Sequence, residues 1–129
     1  MRLLLDTHAF LWLHTDRSRI PDSLLEELAD PRTSRLFSVA SAWELAIKTA
    51  LGKLAVPDPL EQWLERRLRA SVVDTLNIQL AHALRAAALP KHHADPFDRL
   101  LVAQAQLEGL TLVSTDRQLA AYDVPIRWS

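Results

Sequence analysis

The sequence predicts an α/β fold in which helices pack on both faces of a mostly parallel sheet. Short apolar runs alternate with amphipathic helical patterns along the chain, which is typical of parallel strands joined by helical crossovers. The 129 residues are 49% hydrophobic and include only 2 Gly. This composition is typical of a compact, helix-rich protein, and we expect residues 1–129 to form one domain.

The first half of the chain is predicted to contain two strands and four helices. Each strand is a short apolar run such as Leu3–Leu5, and each helix repeats apolar residues at three- and four-residue spacing. Pro21 suits the first turn of a helix, and Gly52 suits the position after a helix end. The predicted ranges are strands 2–6 and 35–39, and helices 7–14, 21–29, 41–51 and 59–70.

The second half continues the alternation. Pro90 ends an alanine-rich helical pattern, and Gly109 ends the helical pattern that follows Pro96. The predicted ranges are strands 71–74, 110–114 and 124–127, and helices 77–89, 96–108 and 116–121.

Composition also narrows the compartment and the chemistry. The chain has no cysteine, which excludes disulfides and thiolate metal sites and suits a reducing compartment. No apolar run approaches the ~18 residues of a membrane span. Asp6 and His8 interrupt the apolar start, so it does not resemble a signal peptide. We expect a soluble cytoplasmic protein without membrane contact, and the net charge of -1 does not by itself indicate a nucleic-acid binder.

Carboxylates follow the predicted strands at corresponding places. Asp6 ends the apolar run 3–5, Glu44 lies in the helix after the second strand, and Asp116 follows the strand at 110–114. Asp98 lies in the first turn of the helix at 96–108. Because the carboxyl ends of parallel strands meet at one edge, where ligands bind in such folds, these acids are predicted to lie close together.

Most of these acids have a simpler interpretation when each is taken alone. Asp95 directly precedes a proline and suits a helix N-cap, and Asp98 then suits the helix dipole. Ser41 and Glu44 fit a capping box, and Asp116 can cap the last short helix. Asp6 differs, because a carboxylate at the end of a buried strand needs a partner.

Taken together, the acids indicate a cation site. Two carboxylates ~5 Å apart repel each other by about 3 kcal/mol at an effective dielectric constant near 20. Four in one pocket require protonation or a cation, and oxygen ligands without cysteine favour Mg²⁺ or Mn²⁺. Such a metal can activate water and shield a phosphate, which suits phosphodiester cleavage.

At these positions the sequence resembles the PIN-domain ribonucleases, in particular VapC-type toxins of bacterial toxin–antitoxin pairs. The matching stretches are residues 3–12, 38–54, 89–116 and 122–128, and "HHADPFDRLLVAQA" is the most specific block. The resemblance implies a three-layer α/β/α fold and an acidic pocket holding Mg²⁺ or Mn²⁺. It also implies RNA cleavage by metal-activated water, a homodimer and an antitoxin protein as partner.

The resemblance also assigns roles to residues. Asp6 and Asp98 match principal metal ligands, while Glu44 and Asp116 match acids that bind a second metal or hold the attacking water. The number of metals stays open. The supporting positions are Thr7 and Thr115, which match small hydroxyl residues, and Asp95, interpreted first as a cap or supporting residue and second as a ligand.

Cationic and aromatic residues carry weaker predictions. A basic rim that contacts RNA or an acidic antitoxin segment would be formed by Lys48, Lys53, Arg66, Arg67 and Arg69, although such runs are more often solvated helix faces. His93, with His92, is expected in a solvated loop more than at a phosphate, and Arg99 is expected to pair with a carboxylate. Core packing is expected for Trp12, Trp43 and Trp63.

Three alternatives remain at this point. A receiver-like signalling domain would use Asp74 as a strand-end phosphoacceptor, but it would also need an acidic pair near the first strand and a late lysine. No lysine follows Lys91. A binding-only domain would use the acids purely as caps, and a housekeeping RNA-processing nuclease would lack an antitoxin.

Overall fold

The computed structural model of the protein describes residues 1–56 and 59–128. Two 3₁₀ turns, Arg17–Arg19 and Arg117–Ala121, accompany the regular elements. In chain order, the strands and helices are β1 (Arg2–Leu5), α1 (Thr7–Thr15), α2 (Asp22–Ala29), β2 (Ser34–Ser38), α3 (Val39–Ala50), α4 (Leu60–Ala70), β3 (Asp74–Leu76), α5 (Leu80–Ala88), α6 (Pro96–Glu108), β4 (Thr111–Val113) and β5 (Ile126–Arg127).

The strands form one five-stranded sheet in the order β3-β2-β1-β4-β5, and the pairs are parallel. Strand β1 is central, and Leu4 lies opposite Leu36 on one side and Leu112 on the other. This arrangement confirms the predicted α/β fold with a parallel sheet. All carboxyl ends of the strands therefore face one edge, which we call the carboxyl edge.

The leucine run of β1 explains how the sheet separates two cores. Side chains alternate across a strand, so Leu3 and Leu5 enter one core while Leu4 enters the other. The first core contains Phe10 of α1 and residues of α2, α3 and α4, and the second is built around α6. A strand buried on both faces reads as continuous apolar sequence, and the layers form the three-layer α/β/α arrangement.

The third strand lies further along the chain than predicted. The prediction was residues 71–74, whereas β3 is Asp74–Leu76. The reason is the end of α4: the Ser71 N–H donates to the carbonyl of Arg67, and the Val73 N–H donates to that of Leu68. Val72 adopts a left-handed φ of 53°, rare for a β-branched residue. This stretch thus closes a helix.

The shift also removes the receiver-like alternative. Asp74 begins β3, is exposed and pairs with Leu36, which lies level with Leu4 in the sheet. Asp6 follows the end of β1. Asp74 is therefore not a strand-end carboxylate, and the phosphoacceptor role assigned to it is wrong.

Three further sequence predictions need correction. Residues 77–79 precede α5 instead of belonging to it, and residues 117–121 form a 3₁₀ turn. Trp63 is buried as expected, but Trp43 is 63% exposed on the outer face of α3.

Among the residues that the structure describes, no helix is both long enough and apolar enough to cross a bilayer.

Candidate active site

Asp6 is held at the junction of β1 and α1. Its N–H donates to the Val113 carbonyl at 3.1 Å, which continues the pairing of β1 with β4. Its Oδ1 accepts the Ala9 N–H at 2.8 Å and so caps α1. Burial raises the pKa of Asp6 above 3.8, and hydrogen bonds with Ser114 and the Ala9 N–H offset only part of this effect. Ionised Asp6 is thus costly without a cation.

Glu44 faces the same edge from inside α3. It is 3% exposed, and its two oxygens have separate partners. The Thr7 hydroxyl donates to Oε1 at 2.5 Å, and the Lys48 Nζ donates to Oε2 at 2.7 Å. The capping-box interpretation is wrong, because α3 begins at Val39 and its N-cap is Ser38. The Glu44 carboxylate is therefore free of any capping role.

His93 connects the two remaining acids. Its Nε2 lies 2.8 Å from Asp116 Oδ2 and 3.0 Å from Asp98 Oδ2. Burial lowers the pKa of His93, but the hydrogen bond to Asp116 and the charge of Asp98 outweigh it and leave the pKa above 6.5. The expectation of a solvated His93 is wrong. Its partners are 5 and 23 residues away in sequence, so no local pattern could have revealed the contact.

Asp98 is a largely buried carboxyl surrounded by other acids. Burial, followed by the charges of Asp95, Asp6 and Glu44, raises its pKa to about 7. Asp95 is the N-cap of α6, with Oδ1 accepting the N–H of Phe97 at 2.8 Å. The cap interpretation of Asp95 is confirmed, and its charge contributes to the site.

Asp116 caps a helical turn, as the sequence suggested, and also contacts His93. Its Oδ1 accepts the Gln118 N–H at 2.9 Å and caps the 3₁₀ turn, while Oδ2 contacts His93. Its own N–H donates to the buried Ser114 hydroxyl at 3.0 Å. Ser114, which also bonds to Asp6, is the hydroxyl that supports this part of the site. Thr115, predicted for that role, is exposed.

Arg99 fastens the loop that carries His93. It was expected to pair with a carboxylate, and this is wrong. Its guanidinium donates to the carbonyls of Ala86 at 2.8 Å, Leu89 at 3.0 Å and Pro90 at 3.0 Å. These carbonyls lie at the end of α5, where helix carbonyls lack intrahelical partners. The Tyr122 hydroxyl extends the contact by accepting the His93 N–H at 3.0 Å.

The predicted basic rim does not stay together. Lys48 lies in the acidic site through its ion pair with Glu44. Arg67 instead lines a separate cleft with His14 and Arg35. The other members of the predicted rim, Lys53, Arg66 and Arg69, are exposed.

The resulting donor set fits a divalent cation. Ligand atoms of His93, Asp98 and Asp116 all lie within 4.8 Å of one another. Burial raises the pKa values of both Asp6 and Asp98, and at Asp98 the charges of the neighbouring acids add to this effect more than His93 offsets it. Carboxylate oxygens are the ligands preferred by Mg²⁺ and Mn²⁺.

Comparison with known proteins identifies the family. The PIN domain family matches residues 3–125, nearly the whole chain. The protein belongs to the PIN-domain family. Ribonuclease VapC22 of Mycobacterium tuberculosis is 32% identical over 125 residues, covering 95% of this chain and 93% of that protein. Ribonuclease VapC16 of the same organism is 39% identical over 69 residues, covering 52% and 49%. The resemblance read from the motifs is confirmed.

Solved structures agree on the PIN fold. VapBC2 from Rickettsia felis, bound to a DNA fragment from its promoter, has a TM-score of 0.74 at 18% identity and full coverage of both chains. A toxin–antitoxin complex from Klebsiella pneumoniae has a TM-score of 0.67 at 21% identity, with 98% of each chain covered. DNA-bound VapBC from Salmonella typhimurium has a TM-score of 0.66 at 17% identity, covering 100% and 99%.

The charge excess predicts a pH-dependent effect of Asp98→Asn in EDTA. Folded Asp98 has a pKa of about 7 against an ordinary value of 3.8. The folded state binds more protons between these values, so this carboxyl reduces stability as pH rises from about 4 to 7. At about 1.4 kcal/mol per pKa unit the upper bound is about 4 kcal/mol. Asp98 is partly exposed and contacts His93, so the effect is smaller than this bound. We expect the stability advantage of Asp98→Asn over wild type to grow by about 1–2 kcal/mol between pH 5 and pH 8.

Urea unfolding at both pH values measures this difference. Asp123→Asn, which changes an exposed carboxyl in the loop before β5, is the control and should show no such pH dependence. An Asp98→Asn effect of equal size at pH 5 and pH 8 would contradict the assigned charge excess.

The Arg99 contacts predict a loss of stability in Arg99→Lys. A lysine keeps the charge but cannot present the guanidinium fork to several carbonyls. We expect the free energy of unfolding to fall by about 1–3 kcal/mol, because buried carbonyls lose their donors. Arg85→Lys is the matched control, because the exposed Arg85 guanidinium donates to the Gln106 side chain of α6 at 3.3 Å and not to helix-end carbonyls. It should change stability by less than about 0.5 kcal/mol. Equal losses would refute the role of Arg99.

Proposed function

We propose that this PIN-domain protein is a metal-dependent endoribonuclease and the toxin of a toxin–antitoxin pair, acting in the cytoplasm. The observation that carries the proposal is the convergence of four acids at one sheet edge: Asp6, Glu44 and Asp98 lie close enough for their charges to interact, and Asp98 and Asp116 share His93. The relatives support the substrate, since the full-length match is named a ribonuclease. The named structural neighbours support the antitoxin.

In this proposal Asp6 and Asp98 are the principal metal ligands, with Glu44 and Asp116 completing the site. Bound Mg²⁺ or Mn²⁺ supplies a Lewis acid and lowers the pKa of a coordinated water. Thr7 fixes the orientation of Glu44, and Ser114 fixes that of Asp6. These hydroxyls keep the oxygens in place before any cation enters.

His93 has a distinct role in the proposal. In the structure its Nε2 contacts Asp98 and Asp116, so a proton held there offsets part of their charge. The Arg99 and Tyr122 contacts fix the backbone of its loop. His93 is thus placed to hold a proton close to the phosphodiester that the acids would receive.

The protein surface offers places for the proposed partners. Exposed apolar residues follow one another at four-residue spacing along the outer face of α3 and its C-cap, including Trp43 and the C-cap Leu51 at 63% exposure each. Trp43 also packs against Phe97 of α6, with ring centroids 5.6 Å apart, so this face adjoins the acidic site. We assign it to the antitoxin. On α5, Leu80 and Leu84 are 75% and 62% exposed and suit a homodimer contact.

Cleavage of a mixed RNA pool tests the activity. We expect the partner-free protein to cut RNA with Mg²⁺ or Mn²⁺ and not in EDTA. Asp6→Asn and Asp98→Asn should each lower the rate by about 100-fold or more, since changes even to groups outside the ligand set of metal sites cost 10–100-fold. Asp123→Asn should cut at the wild-type rate.

Metal binding is measured separately through stability. If Mn²⁺ binds the folded protein, saturation at about 100 times its Kd raises the free energy of unfolding by about 2.7 kcal/mol, and Asp6→Asn should lose most of that gain. Wild-type cleavage by Asp6→Asn would refute the site. Absence of both cleavage and Mn²⁺ stabilisation would favour the binding-only alternative. An antitoxin gene next to the gene of this protein would distinguish a toxin from a housekeeping nuclease.

A further inference from the structure

A second cleft lies away from the acidic site, where α1, α2 and α4 end. It has a volume of about 430 Å³. Arg35 lies near the start of β2, so the cleft is at the edge of the sheet opposite the carboxyl edge. His14 lies eight residues after Asp6, a rise of roughly 12 Å along α1. The cleft is therefore separate from the carboxylates described above.

The cleft is lined by basic side chains from four different elements. They are His14 of α1, Arg17 of the first 3₁₀ turn, Arg35 of β2 and Arg67 of α4. None of the described residues that line it is a carboxylate. The remaining lining is largely apolar and includes Leu13, Leu28 and Val72. The cleft thus combines concentrated positive charge with apolar walls.

Hydrogen bonding to the carbonyls at helix ends explains only one of these basic side chains. The Arg35 guanidinium donates to the carbonyls of Leu28 at 2.7 Å, Asp30 at 3.2 Å and Val72 at 3.3 Å. It therefore neutralises the ends of α2 and α4, as cations near helix C-termini commonly do. His14 and Arg67 need another explanation.

His14 and Arg67 each leave a buried nitrogen without a hydrogen-bond partner. These atoms are His14 Nε2 and Arg67 Nε, and neither has a partner among the described residues. An unsatisfied buried polar group costs about 1–3 kcal/mol. Burial, followed by the charges of Arg67 and Arg17, lowers the pKa of His14 to about 4. The cleft therefore holds three guanidinium groups, an unused Arg67 donor and an uncharged imidazole with a free nitrogen, a combination that an anion would stabilise.

We propose that this cleft binds a phosphate monoester, either free inorganic phosphate or the terminal phosphate of a nucleotide. Guanidinium groups recognise phosphate oxygens through paired N–H donors, and the Arg67 Nε supplies one unused donor. A dianion matches several cations better than a single carboxylate does. The volume lies within the range of small-molecule sites, and the apolar walls can contact the body of a mononucleotide.

Calorimetric titration of the full chain in EDTA tests the proposal. The probes are inorganic phosphate, a 5′-mononucleotide, the corresponding nucleoside and a short RNA with or without a 5′-phosphate. We expect the mononucleotide to bind with a Kd of about 0.1–1 mM, and the nucleoside not to bind. Arg67→Gln should weaken binding at least tenfold, and Asp6→Asn should leave it unchanged.

Arg69→Gln is the matched control, because Arg69 lies on the same helix and is exposed. If Arg67→Gln fails to fold, Arg17→Gln provides a second cleft variant, because Arg17 is exposed and also lines the cleft. It should weaken binding at least threefold, whereas Arg69→Gln should not. Equal binding of phosphate and mononucleotide identifies the free anion as the ligand, while a preference for the 5′-phosphorylated RNA identifies an RNA end.

Three results would overturn the proposal. The first is no binding of any phosphorylated probe at 10 mM, roughly the weak limit for a specific site. The second is an equal effect of Arg69→Gln, which would indicate diffuse charge. The third is tighter binding of an acidic peptide than of the mononucleotide, which would assign the cleft to a protein partner.

Discussion

Repulsion among carboxylates at the carboxyl edge is the constraint on which the rest of the site depends. Each acid there has a specific partner: Asp6 has Ser114, Glu44 has Thr7 and Lys48, and Asp116 has His93. These partners are dipoles or single positive charges. They leave Asp98 with a pKa of about 7, because burial, followed by the charges of the neighbouring acids, outweighs the charge of His93. A site deficient in cations suits a metal better than a structural ion-pair network would.

Helix capping, which the sequence presents as an alternative to metal binding, leaves one oxygen of each capping carboxylate available for other contacts. A carboxylate has two oxygens, and a cap needs only one of them. Asp116 uses Oδ1 for the 3₁₀ turn and Oδ2 for His93, and Asp6 uses Oδ1 for α1. The helix starts therefore fix where the acids lie, and the backbone N–H groups orient each carboxylate. The hydrogen bonds that begin these helices therefore also set the geometry of the site.

The same distinction explains what the sequence could predict. Helix 96–108 was predicted with the observed bounds, because its proline, cap and terminal glycine are adjacent in sequence. The strand predicted at 71–74 was misplaced because Val72, a β-branched residue, adopts a left-handed turn that closes α4, a conformation that its residue type does not predict. The contacts of His93 and Arg99 were missed for a related reason: their partners are distant residues or backbone carbonyls, which carry no sequence signature. The acids were found because strand ends in a parallel sheet must share an edge.

The net charge does not reveal how positive and negative charges are distributed in the fold. The value of -1 is a sum over the chain, and it does not distinguish a neutral surface from one with opposite charges at two edges. In the fold, carboxylates gather at the carboxyl edge while Arg17, Arg35 and Arg67 gather where α1, α2 and α4 end. Helix α1 spans the two regions, with Asp6 capping its start and His14 in its last turn. Because charges more than about 8–10 Å apart are largely screened at physiological salt when exposed, the two regions act on ligands as separate fields. An anionic substrate therefore responds only to the charges near its own binding site. The acidic site needs its own cation, however basic the opposite edge is.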